Sequence, residues 1–295
     1  MDQLRFACAL VGERARYVRI QTERIGPYAA SLTLESPTAE PEVAGSCEQL
    51  AAFWLTLDAI NFGSGWFPTL RKRPGRSGYF TIAAGVREHG PWSASELQAL
   101  TAAEIAAALG EDPDHELMSL FAASLNDLGE HVAEDAGGRF EAVVDSAGDS
   151  AIALVEHLAT WDCFRDTSSY DELELPFLKR AQIAASDLAE ADVLHASDVD
   201  RLTMFADNLV PHVLRLDGIL SFDDGLVERI ERGELIEHGS IEEVEIRACA
   251  VHAVELIAAA RPGTRAAGID KLLWNRGQSE RYKSQPRHRS RCTAY

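Results

Sequence analysis

The run Ile241–Ala260 constrains this chain more than any other stretch. Val244, Ala248, Val251, Val254 and Ile257 recur at helical spacing, and no glycine or proline interrupts them before Pro262-Gly263. Apolar residues at every third or fourth position specify a helix that buries one face, and a proline–glycine pair ends it. Glu245 and Arg247 lie off the stripe, either as buried partners or as surface charges; an internal ion pair between the two is the expected arrangement.

Helix signals recur along the rest of the chain. Ser93-x-x-Glu96 and Thr101-x-x-Glu104 are capping boxes. Leu50, Phe53, Trp54 and Leu57 stripe Glu48–Ile60, and Leu117, Leu120, Phe121 and Leu125 stripe Glu116–Leu128. Further helices are expected at Leu4–Arg16, between Arg19 and Leu32, at Ser150–Leu158, from Pro176 to Leu188, within Leu220–Leu235 and from Ile269 onward. Residues 35–47 are a loop by composition, and Gly78–Ala83 reads equally as a short strand or a helix start. Helices outnumber possible strands several-fold. The chain is therefore predicted to be mainly α, a compact single helical domain over residues 1–295 with at most a small β element. Residues 1–48 form its less defined N-terminal extension and loop.

Composition narrows function by exclusion. No apolar run is long enough to span a membrane as a helix, and Met1-Asp2-Gln3-Leu4-Arg5 lacks the shape of a secretory signal. The five cysteines are scattered without a Cys-x-x-Cys pair, so they suggest neither a disulfide framework nor a zinc site. A cytoplasmic location is expected. The net charge of −19 argues against a grip on long nucleic acid. Positive charge is local instead. Arg276, Arg281, Lys283, Arg287, Arg289 and Arg291 crowd the last segment, and Arg71, Lys72, Arg73 and Arg76 form a second cluster. Such clusters are solvated loops or phosphate sites.

Three stretches could carry chemistry. In Leu202–Pro211, an apolar helical run through Ala206 meets Asp207, Asn208 and then Pro211, which suits the first turn of a new helix. Asp207 would sit at the junction, braced by Phe205 and Leu209, and Ser197 or Asp198 would cap the start of the incoming helix. That position suits a carboxylate facing a ligand; an ordinary helix end, where Asp and Asn are common, is the alternative. Asn61–Pro68 combines Gly63 and Gly65 with Phe62, Trp66 and Phe67. It is either a flat wall for a planar ligand or a plug for the core. Lys179, Gln182 and Ser186 share one helix face, as a solvent stripe or a pocket wall. No histidine metal motif, nucleophile elbow, phosphate loop or dinucleotide fingerprint is present. A metal site or nucleotide cofactor is thus unsupported, and the remaining features are compatible with a nucleoside or nucleotide pocket.

Several blocks standing in order resemble one family. They are Leu57-Asp58-Ala59-Ile60-Asn61-Phe62, Gly78-Tyr79, Phe177-x-Lys179-Arg180-Ala181-Gln182 and Leu202–Asp207 followed by Pro211-x-Val213-Leu214 and Gly218-x-Leu220. Glu243-Val244-Glu245-Ile246-Arg247, Asp270-x-x-Leu273-Trp274 and Pro286-x-His288-Arg289-x-Arg291-Cys292 complete the set. Together they resemble the queuosine salvage proteins, which are queuosine 5′-phosphate N-glycosylases.

The resemblance implies a fold related in shape to helical DNA glycosylases. It implies hydrolysis of queuosine 5′-monophosphate to queuine and ribose 5-phosphate, with no metal and no cofactor; a monomer is expected. The catalytic aspartate of the family maps to Asp207. Base-binding residues map to Phe205, Asp270 and Trp274, with Asn275 where some members carry an acid, and Trp66 and Phe67 as further stacking candidates. Lys179, Arg289, Arg291 and Lys72 are candidates for the 5′-phosphate. The competing reading from another class is a queuine or queuosine carrier without turnover.

Overall fold

The computed structural model describes residues 1–33 and 43–295. Most of the loop expected at 35–47 lies outside the described residues. Among them the chain is mainly α, with fifteen α-helices and two two-stranded antiparallel sheets. No helix among them is long and apolar enough to cross a membrane. The chain packs into two compact units built from alternating segments. The first takes Met1–Pro41 (described to residue 33), Thr167–Lys179 and Asp200–Arg291; the second takes Glu42–Asp166, Arg180–Val199 and Cys292–Tyr295.

The Ile241–Ala260 helix is the axis of the first unit. The expected single apolar stripe understates its environment, because every residue from Glu243 to Val251 is buried. A helix covered on all sides in its middle is an interior helix, not an amphipathic one. The helices Asp2–Arg14, Thr22–Ser31 and Ala266–Arg276 pack around it, with the sheet that pairs Val18–Ile20 with Leu220–Phe222.

The charges inside this core are partnered differently from expectation. Glu245 does not face Arg247. Its carboxylate accepts the N–H groups of Arg16, Tyr17 and Val18 at 2.7–3.2 Å and the Tyr170 hydroxyl at 2.8 Å. The corner between the first helix and the first strand has no backbone partners there, so a buried carboxylate supplies them. Arg247 pairs with Glu243 instead, one helical turn earlier, at 3.6 Å. Spacing of i and i+4 brings two side chains to one face, whereas i and i+2 separates them.

Three boundaries also differ. Thr167–Tyr170 and Leu173–Pro176 form a hairpin turning at Asp171, whose φ is 47°. Pro176 therefore ends a strand, and the helix begins at Lys179 after Leu178, at φ 50°. Lys179, Gln182 and Ser186 are all buried, which excludes the solvent stripe. Leu220–Leu235 divides into a strand and the helix Asp224–Glu231.

In the second unit, Gly78 opens a helix, Gly78–His89, rather than a strand. The Glu116–Ala136 helix is approached closely at Gly129, where a Cβ would lie 2.7 Å from the Ala94 carbonyl oxygen. Ser150 caps the helix Ala151–Leu158, and Asp198 supports that start, accepting the Ala151 N–H at 2.6 Å and the Ser150 hydroxyl at 2.7 Å, instead of capping an incoming α-helix.

Replacing Glu245 by Ala strands several backbone donors and the Tyr170 hydroxyl at once. Each buried donor left unmade costs about 1–3 kcal/mol, so the variant is expected to lose about 3 kcal/mol or more of unfolding free energy. Urea unfolding checks this; a midpoint equal to that of the parent protein would contradict it.

Candidate active site

The segment before Asp207 is not a helix. A short 3₁₀ turn, Val199–Arg201, is followed by irregular backbone up to the helix Leu209–Leu216. Helical partners are missing because buried side chains have taken the backbone groups. The Phe205 N–H donates to Asp270 Oδ1 at 3.1 Å, and the Ala206 carbonyl accepts from Arg247 Nε at 2.9 Å. The new helix starts two residues before Pro211, which stands in its first turn, where a missing N–H leaves no bond unmade.

Asp207 is held by that helix start. Its Oδ1 accepts the Leu209 N–H at 2.8 Å and the Val210 N–H at 3.0 Å. Both donors are first-turn amides without intrahelical partners, at the end of the helix dipole that favours negative charge. Oδ2 receives no hydrogen bond among the described residues. Asp207 also keeps part of its surface open while its neighbours Ala206 and Asn208 are buried. One oxygen is anchored on two amides, and the residue keeps an open edge.

The surrounding charges divide the labour. Burial raises the Asp207 pKa; Lys179, the two amides and Arg287 pull it back. Burial raises the Asp270 pKa further, Asp207 adds to the rise, and the Phe205 N–H and Lys179 oppose it. Of the two carboxyls, Asp270 is thus raised the further. Asp270 sits on the Ala266–Arg276 helix, with Trp274 one turn along the same face. Gly277 ends that helix, and a Cβ there would stand 2.9 Å from Leu209. The missing side chain lets the helix carrying Asp270 close on the helix that anchors Asp207.

The structure thus brings Asp207, Asp270, Phe205 and Lys179 together, and it adds Arg287. Burial lowers the Arg287 pKa and Asp207 raises it. Sequence reading passed over Arg287 because it fills the unspecified position of Pro286-x-His288. Its place between a proline and a histidine in the basic tail was the available signal. Arg289 donates to the Gly233 carbonyl at 3.1 Å, and Arg291 is exposed. Asn275 donates to the Lys271 carbonyl of its own helix at 2.7 Å. Trp66, Phe67 and Lys72 belong to the second unit. There Trp66 is buried and donates Nε1–H to Glu116 at 2.7 Å, Phe67 covers Gly78, and Lys72 is exposed.

No three His, Cys, Asp or Glu side chains among the described residues form a group that could hold a metal ion. A hollow on the second unit, lined by residues including Phe53, Arg87 and Pro91, has no carboxylate among its described lining residues.

The model of the queuosine salvage protein family matches residues 40–295. A queuosine 5′-phosphate N-glycosylase/hydrolase of Sphaerobacter thermophilus is 34% identical, over 97% of this chain and 95% of its own length. One of Bos taurus is 32% identical over 74% and 72%, and one of Schizosaccharomyces pombe 37% identical over 40% and 36%. The chain belongs to the queuosine salvage protein family. The family match spans every residue of the cluster around Asp207.

The larger rise at Asp270 has a measurable consequence. A carboxyl whose folded pKa exceeds its unfolded one holds its proton more tightly in the fold. Its contribution favours the fold at low pH and is lost as pH rises from the unfolded value through the folded one. Asp270→Asn cannot ionise, and it keeps an oxygen for the Phe205 N–H. The gain in thermal midpoint over the parent is expected to be larger at about pH 8 than at about pH 5. An offset equal at both pH values would contradict the assignment.

Proposed function

We propose that this chain hydrolyses the N-glycosidic bond of queuosine 5′-phosphate, releasing queuine for salvage into tRNA, with Asp207 as the catalytic carboxylate. The observation that carries this reading is the unshared Oδ2 of an anchored, partly open carboxylate in a member of this family. Queuine is a 7-deazaguanine, so the base has no N7 to protonate. Help for the leaving group is limited, and more of the barrier must be lowered at the sugar. As the bond breaks, positive charge develops at C1′ and the ring oxygen. A fixed anion beside that carbon stabilises the charge without reorganising, an effect typically worth about 3–4 kcal/mol for one well-placed group.

The other residues follow from their chemistry. Asp270 recognises the base, with Phe205 and Trp274 offering aromatic faces to its ring system. Lys179 is the phosphate group's first partner, and Arg287 now joins it ahead of Arg289. An ammonium or guanidinium close to Asp207 also keeps that carboxylate ionised, as the direction of its influence requires. All five cysteines are free, which fits a reducing compartment, and we take the cytoplasm as the site of action.

The test incubates the purified protein with queuosine 5′-monophosphate, queuosine and guanosine 5′-monophosphate, and follows free base by chromatography. Release of queuine from the first is expected. Asp207→Asn is expected to fold and to lose at least about 100-fold in kcat. Lys179→Ala is expected to lose more with the nucleotide than with the nucleoside. Intact nucleotide recovered from the parent protein, bound but uncleaved, would make it a carrier and overturn the reading.

A further inference from the structure

Arg247 is fully buried, and its guanidinium touches both strands of backbone that carry the site's charges. Its Nε donates to the carbonyl of Ala206, the residue before Asp207, at 2.9 Å. Its Cζ lies 4.0 Å from the ring centroid of Phe177, two residues before Lys179. Between Phe177 and Lys179 the backbone turns through Leu178 at φ 50°, a conformation that a leucine adopts only when its surroundings hold it. The third contact is with Glu243, 3.6 Å from Nη1. Glu243 is itself fixed by the Gly239 N–H at 3.1 Å and by His238 at 3.3 Å. Burial would raise the Glu243 carboxyl, but Arg247 and His238 outweigh it and hold it at about 2. The anion is therefore present at working pH to balance the guanidinium.

A buried charge is costly, and its pairing seldom repays more than that cost. Core filling alone does not account for Arg247, since an apolar side chain would pack the same space. A planar guanidinium, however, donates in its plane while stacking through its face. It can grip a carbonyl and a ring at once, which an ammonium cannot.

We propose that Arg247 is a positioning residue: by holding the Ala206 carbonyl and the Phe177 ring together, it fixes the Asp207 carboxylate and the Lys179 ammonium relative to each other. This inference rests on the reading of Asp207 as the group that faces C1′. Arg247 itself touches neither the substrate nor the reacting atoms. Its loss frees two segments, one turning through Leu178 and one of irregular backbone before Asp207, from the contact that holds them together. A displacement of about 1 Å at a reacting group can cost 10²-fold in rate.

Arg247→Lys keeps the charge and loses the planar grip. Phe177→Leu keeps most of the volume and loses the ring face. Each is compared with the parent in queuine release from queuosine 5′-monophosphate, over a range of pH, with melting followed by circular dichroism. In a folded variant kcat is expected to fall about 10- to 100-fold with KM within about threefold. The acid limb of kcat is expected to move to higher pH, because a Lys179 ammonium that drifts from Asp207 holds its pKa down less. A merely structural role would lower the melting temperature and leave kcat and the acid limb unchanged; that result overturns the proposal. If neither variant folds, Arg247 is a folding residue and the proposal is likewise overturned. A parent protein that releases no queuine removes both this inference and the proposed function, whereas an active parent with unchanged folded variants removes this inference alone.

Discussion

Two backbone amides hold one carboxylate oxygen, and the candidate site depends on that bond pair. Leu209 and Val210 open a helix, and their N–H groups have no carbonyl to bond within it. Asp207 supplies the missing acceptor from just outside the helix. The exchange satisfies two donors, and it also stops the carboxylate from rotating. A side chain with one oxygen committed can present the other in only one direction. Pro211 reinforces the arrangement, since it asks for no donor bond in that first turn.

Around this point the fold spends charge where packing would ordinarily use carbon. Asp270, Glu243, Glu245 and Arg247 are all buried in the first unit. Asp270 and Arg247 take up the backbone groups of Phe205 and Ala206, and Glu245 takes up those of residues 16–18. Irregular backbone can lie inside a core only if its polar groups are satisfied in this way. The stretch ahead of Asp207 is therefore held open by ionic side chains on the Ile241–Ala260 and Ala266–Arg276 helices. The cost falls on stability, since Asp207 and Asp270 are both raised by burial and Asp207 raises Asp270 further. Strain of this kind is expected where a site needs an anion out of water.

Much of this was legible in the sequence, and for local reasons. Capping boxes at Ser93 and Thr101 are written within four residues and appear as read. The Ile241–Ala260 helix has the predicted bounds, and Pro211 lies in a first turn as its chemistry requires. The errors fall where partners are distant. Leu202–Ala206 has a helical pattern, but its backbone bonds go to residues some forty to sixty-five positions away. Pro176 looked like a helix start because the hairpin that absorbs it turns on a non-glycine residue, Asp171. Arg247 was paired with its near neighbour Glu245 when helical geometry prefers Glu243. Arg287 was hidden among equivalent tail arginines, since charge alone does not say which one turns inward.

The most direct measurement is a crystal structure of Asp207→Asn with intact queuosine 5′-monophosphate. The account predicts the anomeric carbon about 3–3.5 Å from the side-chain atom that replaces Oδ2, with the other side-chain atom still on the Leu209 and Val210 amides. A nucleotide bound with its phosphate or its base against residue 207, and C1′ out of reach, would contradict it.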